Sequence, residues 1–476
     1  MFFGLMDRAG AAAPDHLAIA ADLVAQAPSD PRPRLMLWKE LTDAGRPSDA
    51  AAAFKALVGL LRKDADALAT FGQLFAQMGA LPEADRLFAR ALEADRRHVT
   101  ALLGRSAVKG RMGDGDEAAA LLRAVARAAP VVPPPADATG PTILQTRCLL
   151  SARYVLGFEP GRGFRGRFKG GHFSTDHLMD RRGYRMAIAN LVGAEAPLRA
   201  CASPSLLLNT IACADRARPS LQAVARFLES RPDLPVVNHP DAVLRTTRDA
   251  TAERLGGVPG ARFAKIRPYV AGADPLELVF AIETEFAYPL IVRRAGTHTG
   301  DSVALAGDRG ALSAYLGDTD PGTRLYAIAY EDARDPAGIH RKGRAFLIDG
   351  VLHPVALLGS DQWQIHSGDR YRIMAGDERL RSEERAYLAD PEAALGRRRW
   401  AALREVCAGT GLDFVGVDFA PVADGVLVFE VNAAMRHNFD HAGRFPYTRP
   451  HLERVSRAFQ KLVVDRIAAP PSGGPR

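Results

Sequence analysis

The chain has 476 residues, of which 47% are hydrophobic and 25% are charged. This composition is that of a soluble globular protein, and the length predicts two or three domains. The four cysteines form no CxxC pair, which argues against a disulfide framework or a structural zinc site. No apolar run reaches about 18 residues and the N-terminus lacks a signal-peptide pattern, so we expect a cytoplasmic protein without a membrane span.

The formal net charge of +7 favours an acidic ligand. The basic residues are scattered along the chain, and no surface that combines aromatic and basic residues stands out, so we expect no nucleic acid partner. A small molecule that carries phosphate is the preferred class of ligand.

A repeat with a spacing of 34 residues occupies the first third of the chain. The aligned segments are 35–58, 69–92 and 103–126, and the glycines at their shared position are Gly45, Gly79 and Gly113. An alanine follows each glycine by five residues, which suits a helix that ends at the glycine and a second helix that packs closely against it. This pattern resembles the tetratricopeptide repeat and implies a helical array over residues 1–130. The array either is a packing or homodimerisation surface or binds a partner peptide or protein, and we favour the binding role.

Changes of composition divide the rest of the chain. Prolines cluster in residues 131–140 and predict a linker. Short apolar strands then alternate with amphipathic helices, which predicts an α/β domain with a parallel sheet over 141–240 and a further domain over 241–465. Residues 466–476 predict a disordered tail. The glycine-rich basic segment 161–173 either grips an acidic ligand or is a mobile surface segment, and we favour the second.

A loop of small residues joins two predicted strands near the middle of the second half of the chain. Strand Leu290–Val292 leads through Arg293 into the loop, and strand Val303–Leu305 follows. The loop consists of Gly296, Thr297, His298, Thr299, Gly300, Asp301 and Ser302. Glycine lets backbone N–H groups approach phosphate oxygens, and hydroxyl groups add donors. Walker and Rossmann loops open a helix, so this hairpin predicts a phosphate-binding loop of another kind, with an ordinary flexible hairpin as the alternative.

The next segments supply further polar candidates. The segment TRLYAIAYEDA, which begins at Thr323, predicts a strand that leads to Tyr330 and Glu331. A hairpin that turns at Asp349-Gly350 carries Arg344, and Asp-Gly is a strong turn signal. His366 follows, and we expect it to be a structural or substrate-contacting residue, because no second histidine stands at metal-ligand spacing.

The last predicted hairpin brings oxygen ligands together. Glu430 and Asn432 are two residues apart on an apolar strand and share one face. If residues 423–425 form a three-residue loop, Asp418 lies opposite Glu430, whereas a two-residue loop turns Asp418 to the other face. Two carboxylates and an amide oxygen suit Mg²⁺. The alternative is a carboxylate pair that is held by neighbouring arginines.

These elements, in this order over residues 200–465, resemble the ATP-grasp superfamily. That group includes D-alanine–D-alanine ligase, glutathione synthetase and the glutamate ligases that act on ribosomal protein tails. The resemblance implies a multidomain chain in which an α-helical array precedes an α/β (α+β) ATP-grasp fold. It also implies that Asp418, Glu430 and Asn432 bind two Mg²⁺ ions that bridge the phosphates of ATP, while loop 296–302 closes over those phosphates.

The resemblance implies further roles, with one departure from the family pattern. The family usually has lysine where Arg293 stands, and Lys265 would share its task. Arg344 and Arg293 would stabilise the transferred phosphoryl group. Glu331 would bind the ribose, with Tyr330 near the adenine.

The implied reaction is an ADP-forming ligation of a carboxylate to an amine through an acylphosphate. His366, Arg436 and Asn438 are the expected substrate contacts, since the last two follow the metal ligands in a loop. The alternatives are phosphotransfer by the same fold, or a non-enzymatic adaptor with a degenerate ATP-binding domain.

Overall fold

A computed structural model describes residues 15–159, 163–201, 203–297 and 302–469. Contacts divide the chain into two compact units. The first contains the residues up to Ala128 together with Tyr154–Arg167, and the second contains Ala129–Arg153 and Phe168 onward. No helix in these ranges is long and apolar enough to cross a membrane.

Helices dominate the first unit, in which seven are described. They are α1 (His16–Gln26), α2 (Pro31–Asp43), α3 (Pro47–Leu61), α4 (Ala65–Gln77), α5 (Leu81–Ala94), α6 (Val99–Arg111) and α7 (Gly115–Ala128). Gly45, Gly79 and Gly113 follow α2, α4 and α6 at φ angles of 67°, 84° and 88°, which favour glycine, and each ends its helix as predicted.

Small residues let these helices approach closely. Ala50 and Ala84 are buried as expected, whereas Ala118 in the third pair is half-buried. Phe88 is fully buried, and a Cβ atom added at Gly104 would lie 2.3 Å from its ring. The helical core therefore depends on glycine at the α5–α6 contact as well as on the repeated alanines.

Four strands follow α7, and two of them belong to the first unit. The strands are β1 (Val131–Val132), β2 (Thr142–Cys148), β3 (Arg153–Glu159) and β4 (Gly163–Lys169). Strands β3 and β4 form a two-stranded sheet, and Leu156 packs against the helical core. The expectation of a mobile segment at 161–173 is therefore wrong over β4, while residues 160–162 lie outside the described ranges.

The second unit begins with a mainly parallel sheet, called here the parallel sheet, in the order β1-β5-β2-β6-β7. Its later strands are β5 (Arg185–Leu191), β6 (Leu206–Leu208) and β7 (Val236–Val237), with helices α8 (Ala196–Arg199) and α9 (Ala214–Glu229) between them. Strands β5, β2, β6 and β7 are parallel, as predicted. The predicted linker needs a correction, because β1 lies inside 131–140 and pairs antiparallel with β5.

A four-stranded sheet, called here the small sheet, follows in the order β11-β10-β12-β9. The elements that lead into it are α10 (Pro240–Leu244), α11 (Arg248–Leu255) and β8 (Ala261–Phe263). The sheet and its helices are β9 (Ile266–Val270), α12 (Pro275–Glu283), β10 (Leu290–Arg294), β11 (Val303–Ala306), α13 (Arg309–Gly317) and β12 (Arg324–Ala329). Strands β10 and β11 form the predicted antiparallel hairpin.

A five-stranded sheet, called here the large sheet, has the order β14-β13-β15-β16-β8. Its remaining elements are β13 (His340–Ile348), β14 (Val351–Ser360), α14 (Glu378–Ala389), α15 (Pro391–Leu395), α16 (Arg397–Ala408), β15 (Phe414–Val422), β16 (Gly425–Asn432) and α17 (Arg449–Ala468). The β13–β14 hairpin turns at Asp349 and Gly350, both at positive φ, as predicted. Helix α17 continues to Ala468, so the predicted tail at 466–476 begins too early.

Asn238 joins the parallel sheet to the large sheet. It follows β7 at a φ of 60° and its side chain is fully buried. Its amide donates to the Phe414 main-chain oxygen at 2.8 Å and accepts from the Phe414 N–H at 2.9 Å. The side chain thus pairs with β15 as another strand would, at a position where asparagine tolerates the left-handed backbone.

Replacing Asn238 with alanine should therefore destabilise the second unit. Two buried backbone groups of Phe414 lose their partners, and we expect a loss of roughly 2 to 4 kcal/mol in the free energy of unfolding. Thermal unfolding followed by calorimetry measures it, with Gln362→Ala, an exposed amide, as the control. An Asn238→Ala midpoint equal to that of the control would contradict the linking role.

Candidate active site

A cavity of about 450 Å³ lies between the small sheet and the large sheet in the second unit. Both sheets contribute apolar side chains to the lining, among them Ile291 and Ile328 from the small sheet and Leu427 from the large sheet. Charged side chains are also numerous in the lining. The charged residues of the lining are Asp215, Arg248, Arg293, Glu331, Arg341, Lys342, Arg344, Asp418 and Glu430.

The β15–β16 hairpin brings Asp418 opposite Glu430, and Glu430 and Asn432 share its face. The predicted three-residue loop is wrong, because Val422 pairs with Gly425 and the loop has two residues. A β-bulge restores the expected register: Asp418 pairs with Glu430 and Phe419 pairs with Val428, which leaves Phe429 unpaired.

Arginines neutralise both carboxylates. Arg344 donates two hydrogen bonds of 2.7 Å to Asp418, in the fork geometry that suits a carboxylate. Arg248 lies 2.5 Å from Glu430 and also donates to the main-chain oxygen of Phe429 at 3.0 Å. The Asn432 amide nitrogen donates to Glu430, so the predicted ligands meet in one polar cluster.

The chemistry of this cluster fits a divalent cation. Asp418 is almost fully buried, and its carboxylate and that of Glu430 come from directly paired residues on one face of the large sheet. The Asn432 amide oxygen accepts from the Ala434 N–H at 2.7 Å, and together with the carboxylates it belongs to the hard oxygen donors that Mg²⁺ takes. The alternative interpretation, a carboxylate pair that neighbouring arginines hold, predicts the same arginine pairs. The two interpretations differ in whether a cation can take the place of the guanidinium groups.

Neighbouring side chains fix the conformation of the described part of the glycine loop. Gly296 has a φ of 71°, and a Cβ atom there would lie 2.3 Å from the Arg216 side chain. Arg293 donates to the main-chain oxygen of Thr297 and, at 3.3 Å, to its hydroxyl group. Ser302 donates to the same hydroxyl at 2.9 Å but does not line the cavity. The predicted residues Thr299, Gly300 and Asp301, with His298, lie outside the described residues.

Aromatic and acidic groups lie where β12 ends. Tyr330 and Glu331 line the cavity together with Trp363, and the Tyr330 and Trp363 rings meet edge to face at 6.4 Å. Glu331 pairs with Arg262 at 2.9 Å. This end therefore offers flat apolar surfaces beside a carboxylate.

The other predicted residues divide into two groups. His366 lines the cavity. Lys265 does not, because its ammonium group donates to the Glu285 main-chain oxygen at 2.6 Å. Arg436 is exposed and pairs with Asp440, and Asn438 accepts from the Asp440 N–H, so both lie in the loop beyond the lining.

Sequence reasoning missed three cations of the cavity, which are Arg248, Arg341 and Lys342. Arg248 is the first residue of α11, and no local pattern connects it with Glu430. Lys342 precedes Arg344 by two residues on β13, so strand alternation places both on one face. The same alternation was available from the sequence.

Two positive side chains of the cavity lining, Arg293 and Lys342, are largely shielded from water. Burial, with a further contribution from Arg248, lowers the pKa of Arg293 to about 10. Burial also lowers the pKa of Lys342, although Asp418 opposes the shift. Arg248, Arg293, Lys342 and Arg344 surround two carboxylates, so the cluster has an excess of positive charge that an anion would offset.

Comparisons with known proteins gave only structural matches. No protein-family model and no curated protein matches the chain. A D-alanine–D-alanine ligase from Bacillus anthracis is 12% identical, with 68% of this chain and 99% of that chain covered and a TM-score of 0.38. A RimK domain ATP-grasp protein from Sphaerobacter thermophilus is 18% identical, with 60% and 91% covered and a TM-score of 0.36.

A carboxyaminoimidazole ribonucleotide synthase from Aspergillus clavatus, solved in complex with ATP, is 13% identical. The match covers 56% of this chain and 64% of that chain, with a TM-score of 0.36. Identities and TM-scores this low assign no activity to this chain.

The excess positive charge predicts that polyphosphate stabilises the protein. At 100 times its dissociation constant, inorganic tripolyphosphate should raise the free energy of unfolding by about 2.7 kcal/mol and therefore raise the midpoint of thermal unfolding. Adenosine should have less effect. Arg293→Met should reduce the gain, whereas Arg309→Met, which removes an exposed arginine paired with Glu283, should keep it. An equal gain in both variants would contradict the placement of the anion.

Proposed function

We propose that the protein is an ATP-grasp enzyme, an ADP-forming ligase that joins a carboxylate to an amine through an acylphosphate. One observation carries the proposal. Asp418 and Glu430 face each other beside Arg344, in the cavity that also contains the loop at Gly296 and the aromatic side chain of Tyr330. The first part suits phosphates with a cation, the second suits phosphate oxygens, and the third suits an adenosine.

ATP would lie along the cavity, between the two sheets. The adenine would lie beside Tyr330 and Trp363, in a lining that also contains aliphatic side chains such as Ile328. Glu331 would accept hydrogen bonds from the ribose hydroxyls. The phosphates would extend toward Arg293 and the loop, where the positive charge is concentrated.

Asp418, Glu430 and Asn432 would hold Mg²⁺, two ions in this proposal. When bound, Mg²⁺ neutralises phosphate oxygens and aligns them for transfer. Arg344 and Arg248 would then exchange their carboxylate partners for phosphate oxygens, since both guanidinium groups already lie in the cavity. The Arg344–Asp418 and Arg248–Glu430 pairs would thus describe the resting state, in which each of these charges keeps a partner.

The reaction would proceed in two displacements. A carboxylate oxygen of the acid attacks the γ-phosphorus, the bond to the β,γ-bridging oxygen breaks, and ADP leaves. The amine then attacks the acyl carbon, phosphate leaves, and the amine nitrogen loses a proton. Arg344 would neutralise the repulsion between carboxylate and phosphate in the first step and the developing charge in the second. Loop 296–302 would exclude water, which would otherwise hydrolyse the acylphosphate.

The helical unit would recruit the substrate. Its glycine-terminated helix pairs at a spacing of 34 residues support the interpretation as a tetratricopeptide-like array, and stacked pairs of that kind would offer an extended surface for a peptide. The acid or the amine would then be an amino acid, a peptide or a residue of a protein. His366, which lines the cavity, would contact it, with Arg436 and Asn438 in the adjoining loop.

The carboxylate opposite Asp418 provides the first test. Glu430→Gln keeps the size and the hydrogen-bonding capacity of the side chain but removes the charge that Mg²⁺ needs, so ATP turnover should fall by a factor of about 100 or more. ADP release at several Mg²⁺ concentrations measures it. Glu378→Gln, which changes an exposed carboxylate that also pairs with arginines, is the control and should keep full turnover. Equal turnover in both variants would remove Glu430 from the site.

The second test separates ligation from phosphotransfer. The protein is incubated with ATP, Mg²⁺ and pools of amino acids or peptides, and free phosphate and products are followed by mass spectrometry. A ligase should release phosphate with ADP only when an amine is present, and the product should be the acid plus the amine minus water. Release of ADP with a stable phosphorylated product and no free phosphate would instead establish phosphotransfer.

A further inference from the structure

The arginine before the glycine loop is already engaged by the loop. Arg293 donates to the main-chain oxygen and the hydroxyl of Thr297, and that hydroxyl also donates to the Arg294 main-chain oxygen at 2.7 Å. A guanidinium group has five donors in a fixed plane, so using two on Thr297 fixes its direction. Arg293 therefore serves first to shape the loop.

Three of the other cations in the lining are paired with carboxylates. Arg344 binds Asp418, Arg248 binds Glu430, and Arg341 binds Glu383 and Asp335. In each of these arginines a carboxylate already offsets the positive charge, so the guanidinium group attracts a phosphate less strongly than an unpaired cation would.

Lys342 differs from all of them. It lines the cavity from β13, on the face that carries Arg344, and within the described ranges it pairs with no carboxylate. Its ammonium group donates one hydrogen bond, to the main-chain oxygen of Ile365. An ammonium group has three donors, so two remain for a ligand in the cavity. A single compact charge can also follow a phosphoryl group as it moves, which a planar fork does less well.

We infer that Lys342 is a catalytic residue that holds the phosphoryl group transferred from ATP. The inference rests on the proposed function and adds to it the source of the mobile charge. In the ground state the ammonium would contact oxygens on the γ-phosphorus, and during transfer it would remain with that group while the bond to ADP breaks. The contact with Ile365 would keep the ammonium group beside the segment of the lining that carries Trp363 and His366.

Comparing nucleotides isolates this contact. Binding of ADP and of the β,γ-imido analogue of ATP, both with Mg²⁺, is measured by calorimetry for the full chain and for Lys342→Met. Loss of one charge-assisted contact should weaken the imido analogue on the order of 10- to 100-fold and leave ADP nearly unchanged, because ADP lacks the γ-phosphoryl group. Lys461→Met, which removes an exposed lysine paired with Asp465, should change neither affinity.

A second variant separates charge from tethering. Lys342→Gln keeps a donor for the Ile365 oxygen but has no charge, so it should lose affinity for the imido analogue as Lys342→Met does. Wild-type affinity in Lys342→Gln, or an equal loss for both nucleotides in Lys342→Met, would show that Lys342 only positions the Ile365 segment and would overturn the inference. A wild-type chain that binds neither nucleotide would instead overturn the proposed function.

Discussion

A tight turn and a β-bulge act together in the β15–β16 hairpin, and the site depends on both. A two-residue loop alone would turn Asp418 away from the face that carries Glu430. The bulge at Phe429 adds one residue to β16 and reverses that effect, so the two carboxylates meet. It also leaves the Phe429 main-chain oxygen for Arg248, which then reaches Glu430. One extra residue in a strand therefore positions a carboxylate and its counter-charge together.

The buried charges around Asp418 and Glu430 have partners that a ligand can replace. A buried carboxylate is costly without a positive group, and Arg344 supplies one for Asp418 through two good hydrogen bonds. Arg293 and Lys342 have no such carboxylate within the described ranges, and burial lowers the pKa of each. An anion relieves that desolvation, and a cation bound by the carboxylates releases the arginines. The two ligands are thus expected to favour each other's binding, because each frees the partner that the other requires.

Features that follow from local pattern were predictable from the sequence, and features that depend on distant contacts were not. The glycine-ended helices, the β10–β11 hairpin and the turn at Asp349 come from short-range signals, and the structure has all three. The register of Asp418 was predicted correctly through a wrong loop length, since nothing in the local sequence marks the bulge at Phe429.

Arg248 shows the other limit. It lies 181 residues from Phe429 in the chain, so only the packing of α11 beside β16 brings the two together. Lys342 was within reach of sequence reasoning, because the alternation that assigned a face to Arg344 applies to it equally. A proline-rich segment also concealed β1, since β1 consists of two valines paired with only one neighbouring strand.

The first unit consists of two separate segments of the chain, one that contains the helices and one that contains most of the hairpin β3–β4. The helical unit is therefore discontinuous in the gene, and recombination at the proline-rich segment could not transfer it whole. An exchanged set of helices would meet a hairpin whose Leu156 had evolved against other partners. A substitution in the helical core beside Leu156 is therefore expected to require a matching change in the hairpin.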